Sequence, residues 1–150
     1  MNLILNGDKE VREVLKRLPD AVQHRILSAA NFAAAKPLVE KEKLLAPEGP
    51  TGNLVDSIGA VKISLSKANR LGQVNVGPRR KGGYKGFAGH LVEYGTKRRR
   101  NKSGANRGIM PKHPFAKPAF QLTKGQIESS IAGQLGKVMT RTMKRYLRGS

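Results

Sequence analysis

Three histidines, a glycine-rich loop and one acid beside a run of cations are the residues of this chain that could do chemistry. His24, His90 and His113 lie far apart in sequence, and no cysteine is present to act as a nucleophile or thiolate ligand. His90 and Glu93 stand three apart and could meet on one helical turn. A zinc site of the His-Glu-x-x-His type, however, would need a second histidine where this chain has Tyr94. Gly77 and Gly82 have the separation of a phosphate-binding loop, but Gly83 and Tyr84 occupy the positions of its Lys and its Ser or Thr. Glu93 precedes Lys97-Arg98-Arg99-Arg100 and is expected to fix the turn at Gly95, as an ion pair or hydrogen-bond acceptor, rather than to act as a base. Asn101-Lys102-Ser103 matches a glycosylation acceptor, which carries no weight without a secretion signal. No catalytic residue, metal or cofactor is expected.

Charge is the stronger signal. The 150 residues carry a formal charge of +19, unevenly spread. Residues 1–56 hold eight basic and eight acidic side chains, whereas residues 57–150 hold twenty-one basic residues against Glu93 and Glu128 alone. Excess of this size in one part of the chain points to a polyanionic partner or to a surface facing nucleic acid in an assembly. Arg79, Arg80, Lys81 and Lys85 form one cationic stretch and Lys97, Arg98, Arg99 and Arg100 begin another. Both are polar, nearly free of acid, and suited to phosphate contact. With few aromatics near them and no ribonucleoprotein motif or zinc finger, any contact with DNA is expected to be non-specific. The absence of cysteine fits a reducing compartment. Met1–Leu5 is too short an apolar start for a signal-peptide core, and no apolar run reaches the ~20 residues of a membrane span. A soluble protein with no membrane partner is expected.

The elements that must position these residues follow from periodicity. Val11, Val14, Leu15 and Leu18 recur at helical spacing after Asp8 and Glu10, and Pro19 ends that helix. Asp20-Ala21-Val22-Gln23 reads as a capping box opening a second helix, with Val22, Ile26, Ala29, Ala30, Ala33 and Leu38 on its apolar side and Leu44 and Leu45 closing it. Pro37 predicts a kink or break near 33–36. From Ala60 the period becomes two: Val61, Ile63 and Leu65 form the buried face of a strand, and Val74 and Val76 belong to an antiparallel partner. A glycine-rich loop covers 77–89, a short helical or extended piece Phe87–Tyr94, and a mobile basic loop 97–109. A last helix is expected from about Ala116 to Leu147, with Ile127, Ile131, Leu135, Val138 and Tyr146 on one face. This order predicts one α+β domain over residues 1–150. Its small antiparallel sheet packs against a long N-terminal helix and a C-terminal helix, with long basic loops.

Three punctuated segments carry the remaining information. Pro47 is followed by Thr51-Gly52, Leu54 and Ser57-Ile58. Phe87-Ala88 precedes Val92-Glu93-Tyr94-Gly95-Thr96. Pro111 opens a segment that includes Pro114-Phe115 and closes on Pro118-Ala119-Phe120. Each has the residue content of a turn built in one way. Thr51, Gly52, Glu93, Tyr94, Gly95, Thr96, Pro114, Phe115 and Phe120 are the expected turn and packing residues, with Phe115 and Phe120 as anchors against the strand pair.

In this order and spacing the segments resemble the signature blocks of the head–tail joining, tail-completion or neck proteins of long-tailed bacteriophages, across residues 20–147 and so over most of the chain. One extra residue lies between Pro47 and Thr51. The resemblance implies a structural, non-enzymatic α+β subunit. It would form a homo-oligomeric ring at the head-proximal end of a phage tail, joining tail to head around the DNA channel. Its partners would be other neck and tail proteins, and its location the virion, assembled in the host bacterial cytoplasm. The alternative class is a freestanding basic nucleic-acid-binding module.

Overall fold

The computed structural model describes residues 8–148, with side chains described for 11–142, 144 and 145. Helices α1 (Asp8–Lys16), α2 (Asp20–Ala34), α3 (Lys36–Leu45) and α4 (Asn53–Ser57) lead into strand β1 (Ile58–Lys62). Strand β2 (Val74–Pro78), helix α5 (Gly89–Tyr94) and the long helix α6 (Ala116–Arg148) follow. The fold is α+β, with a two-stranded sheet. Bonds from Ile63 N–H to Gln73 O (3.1 Å) and from Arg79 N–H to Ser57 O (3.0 Å) bracket the pair and make it antiparallel. Contacts group the described chain into two compact units, one of residues 8–37, 60–75 and 124–148, the other of Leu38–Gly59 and Val76–Thr123.

In the first unit the hairpin turn is fastened to α2 by two polar side chains. His24 Nδ1 accepts the Gly72 N–H at 3.1 Å, so its Nε2 carries the proton and donates to Ile63 O at 2.7 Å. Two helical turns on, Asn31 Nδ2 donates to Gly72 O at 2.9 Å. Gly72 has φ +73, and a Cβ there would run into Leu27. The turn comes this close only because residue 72 has no side chain. Ile26, Ala30 and Ala34 are buried on the same helix.

In the second unit Ala46, Ile58, Val92 and Phe115 form the core, with Val39, Leu54, Val55, Met110 and Ala116 packed around it. Four separate segments supply those four residues, so the unit is held by side chains distant in sequence.

Several expectations are corrected. The strand begins at Ile58 rather than Ala60, and its buried end is Ile58-Gly59 while Val61 and Leu65 are exposed. Alternation over 61–66 begins at the exposed end of the strand and runs past it, and Leu65 lies in a 3-10 turn. No capping box forms at Asp20: Pro19 is the cap residue, Asp20 lies inside the helix, and Gln23 Nε2 donates to Leu18 O at 2.7 Å. Leu44 and Leu45 are exposed instead of closing α2, and Ala33 is exposed too. The break before Pro37 is present, as Ala35 separates α2 from α3. Tyr146, placed on one face of the last helix, has a side chain outside the described set, and Met1–Leu5 lies outside the described residues.

Candidate functional site

A helix leaves its first N–H groups without partners, and the start of α6 meets that requirement from a distant element. Glu93, on α5, accepts the Phe115 N–H (2.7 Å) and the Ala116 N–H (2.9 Å) at Oε2, and the Lys117 N–H (3.2 Å) at Oε1. Residue 118 is proline and has no N–H to satisfy, while Ala119 N–H already bonds to Phe115 O at 3.1 Å. One carboxylate therefore completes the helix start, with negative charge at the positive end of the helix dipole. Burial pushes the Glu93 carboxyl up, but the three N–H donors outweigh it and hold its pKa below the ordinary value.

The same segment sets the turn that follows. Gly95 N–H bonds to Leu91 O (2.8 Å), ending α5, and Gly95 takes φ +71. A Cβ at Gly95 would sit 3.0 Å from both Lys112 N and Met110 O, so conformation and space both require glycine. Thr96 then grips Met110 twice: its N–H donates to Met110 O, and its Oγ1 accepts the Met110 N–H, each at 2.9 Å. His113 N–H bonds to Val92 O at 2.7 Å.

From this clasp a basic hairpin extends. Arg107 N–H donates to Arg99 O (2.7 Å), Asn101 N–H to Ala105 O (3.0 Å), and Arg100 and Asn106 form an antiparallel bridge. The tip is shaped by Asn101 Oδ1, which accepts Ser103 Oγ–H (2.8 Å) and Ala105 N–H (2.7 Å). Within the stretch 97–109, expected as a mobile basic loop, these bonds form a hairpin. Lys97, Arg98, Arg99, Arg100, Lys102 and Arg107 are all exposed on it, with no acid between them. These side chains are exposed rather than packed in the core.

The other cationic stretch divides. The Arg79 guanidinium lies 3.6 Å over the Tyr84 ring, and its Nε donates to Ser57 O at 3.0 Å. Arg79, expected among the DNA-facing cations, is half-buried and helps close the loop onto α4. Arg80, Lys81 and Lys85 are exposed, and Arg80 approaches His90 Nδ1 at 3.4 Å.

Among the expected turn and packing residues, Phe115 is 1% exposed and anchors the core. Phe120 is 49% exposed and Tyr94 78% exposed, so neither packs as expected. Pro114 and Thr51 are exposed, and Gly52 (φ 62) caps α4. The first segment and Val92 border a cleft of ≈390 Å³ whose wall also includes Lys85, Ala88, Met110 and His113. Among the described residues no group of three His, Cys, Asp or Glu could hold a metal ion. No described helix is long and apolar enough to cross a membrane.

Sequence reasoning named His24 and Ser57 without their structural roles and missed Glu42. Ser57 is buried, and its Oγ–H donates to Leu54 O at 2.6 Å. Glu42 is 3% exposed, and its Oε2 has no hydrogen-bond partner. Burial first, and then the charge of Glu93, push its pKa up from 4.5 to about 7. Leu38, Glu42 and Ala46, all buried, recur every four residues, but an acid at such a position is normally solvated.

The sequence profile of the family described as "Bacteriophage HK97-gp10, putative tail-component" matches residues 9–95. Comparison with curated proteins and with solved structures gave no match.

Proposed function

The chain belongs to the HK97-gp10-like family of bacteriophage tail components, and from that premise we propose that it forms a ring at the head-proximal end of the tail. There it joins tail to head around the channel through which DNA passes. Membership makes it a phage tail component whose partners are other tail proteins and whose place is the virion. Ring formation and head–tail joining are the reading proposed.

The observation that supports this most is the hairpin. Six exposed cations, Lys97, Arg98, Arg99, Arg100, Lys102 and Arg107, project on a hydrogen-bonded scaffold that contains no acid. A subunit lining a DNA channel needs charge that tolerates any sequence, held on a support that does not depend on the DNA. Phosphate contacts supply affinity and orientation without reading bases. The chemistry of the second unit is otherwise structural: Glu93, Gly95, Thr96 and Phe115 fix backbone and core.

Light scattering on the purified protein, and on protein released from virions, tests the reading. A mass of several subunits in either preparation supports the ring. One or two subunits in both, together with DNA binding, would favour a freestanding nucleic-acid-binding module.

A further inference from the structure

Within the second unit two acids are buried, and among the described residues only Glu93 has hydrogen-bond partners. Glu42 stands between Val39 and Ala46, which pack with Val92 and Phe115 in the core. Glu93 is saturated by the N–H groups of Phe115, Ala116 and Lys117. Glu42, on α3, is buried with its Oε2 unsatisfied. A buried carboxylate without donors is costly, and a second carboxylate beside it raises the cost. Lys41 and Lys43 flank Glu42 on α3, Asp56 lies exposed on α4, and Lys112, His113 and Lys117 lie exposed on the segment that Glu93 holds. None of these compensates Glu42; the charge that acts on it is that of Glu93.

We propose that Glu42 and Glu93 form a proton-controlled latch on the start of α6. With Glu42 a neutral acid, Glu93 carries the single negative charge of the buried pair and the cap is tight. When Glu42 ionises, its charge acts against that of Glu93, and opening of the α6 start relieves the repulsion. The base of the basic hairpin hangs on the same segment through Thr96, Met110 and His113, so loosening reaches the cationic surface. The inference rests on the geometry of the second unit and not on the ring.

The sign follows from the shift. Glu42 has a folded pKa of about 7 against 4.5 when exposed. The folded state therefore holds the proton more tightly, and stability falls as pH rises from the exposed value toward the folded one, then levels. Glu93 works oppositely, since its lowered pKa gives stability that is lost only as pH falls through its folded value.

The test uses the full chain. Carboxyl-carbon NMR should show Glu42 titrating near pH 7. Amide exchange at Phe115, Ala116 and Lys117 should quicken at least ~10-fold between about pH 5 and about pH 7.5, after correction for intrinsic exchange. Glu42→Gln should remove that dependence and hold exchange at its slow, low-pH level. Titration of Glu42 in the ordinary carboxylate range overturns the latch, and that measurement needs no variant. A Glu42→Gln protein that keeps the wild-type pH dependence overturns it as well.

Discussion

Glu93 holds the backbone N–H of Phe115 at 2.7 Å while the Phe115 ring lies 1% exposed in the core beside Val92, the residue before Glu93. One dipeptide of α5 therefore grips one residue at both its backbone and its side chain. That grip sets where α6 begins. It also sets where the chain returns from the hairpin, because His113 bonds to Val92 O two residues earlier. Packing and capping are one feature here, and substitutions at either residue are expected to be felt at both.

Loss of the cap should be costly without disturbing the core directly. Glu93→Gln keeps the shape but replaces one acceptor oxygen with a donor group and removes the charge at the helix terminus. We expect a loss of ~1–3 kcal/mol in urea unfolding at neutral pH, the range for a buried group whose hydrogen-bond partners are left unmatched. Because the Glu93 pKa is lowered, the difference between wild type and variant should shrink as pH falls through the folded value. A difference that grows in acid would contradict the cap.

Phe115→Ala should cost ~3–5 kcal/mol, the usual range for emptying a fully buried aromatic site. Phe120→Ala should change stability by no more than ~1 kcal/mol, since half of that ring already meets water. Thermal or chemical unfolding of the pair checks this directly; equal losses would mean that Phe120 is an anchor too.

Gly95→Val combines a positive φ with backbone atoms 3.0 Å from the new Cβ, and a loss of ~1–3 kcal/mol or more is expected. Gly49→Ala, where a Cβ meets nothing within 4 Å and φ is not positive, is the matched control and should be close to neutral. If both variants share the wild-type midpoint, the clasp at Gly95 is not strained by a side chain.

Much of this clasp was legible in the sequence. Val92-Glu93-Tyr94-Gly95-Thr96 announces a helix end and a turn, and Glu93 is expected there as an ion pair or hydrogen-bond acceptor fixing that turn. What it accepts from, the start of a helix more than twenty residues away, is not written in local spacing. The strand was placed two residues late because alternation over 61–66 is a surface pattern here, and burial at Ile58-Gly59 depends on partners elsewhere in the chain. Arg79 looked like its cationic neighbours; only the position of Tyr84 and the carbonyl of Ser57 turn it inward. Glu42 was hidden by its type, since an acid is normally solvated.

The hairpin should bind DNA by charge alone. Each phosphate neutralised contributes about −0.9 to the slope of log affinity against log salt. Replacing Lys97, Arg98, Arg99 and Arg100 with serine should flatten the slope by up to ~4 units if all four touch phosphates. Folding should be unaffected, because all four side chains are exposed. Fluorescence anisotropy across a salt series reads the slope; an unchanged slope, or strong preference for one sequence, would contradict contact by charge.

A cryo-electron map of intact virions that carry this protein tests the central claim most directly. The account predicts a closed ring of this chain at the head-proximal end of the tail, with the Lys97–Arg100 edge of each hairpin facing the DNA channel. Density for the chain at the distal tip or along the tube would contradict it.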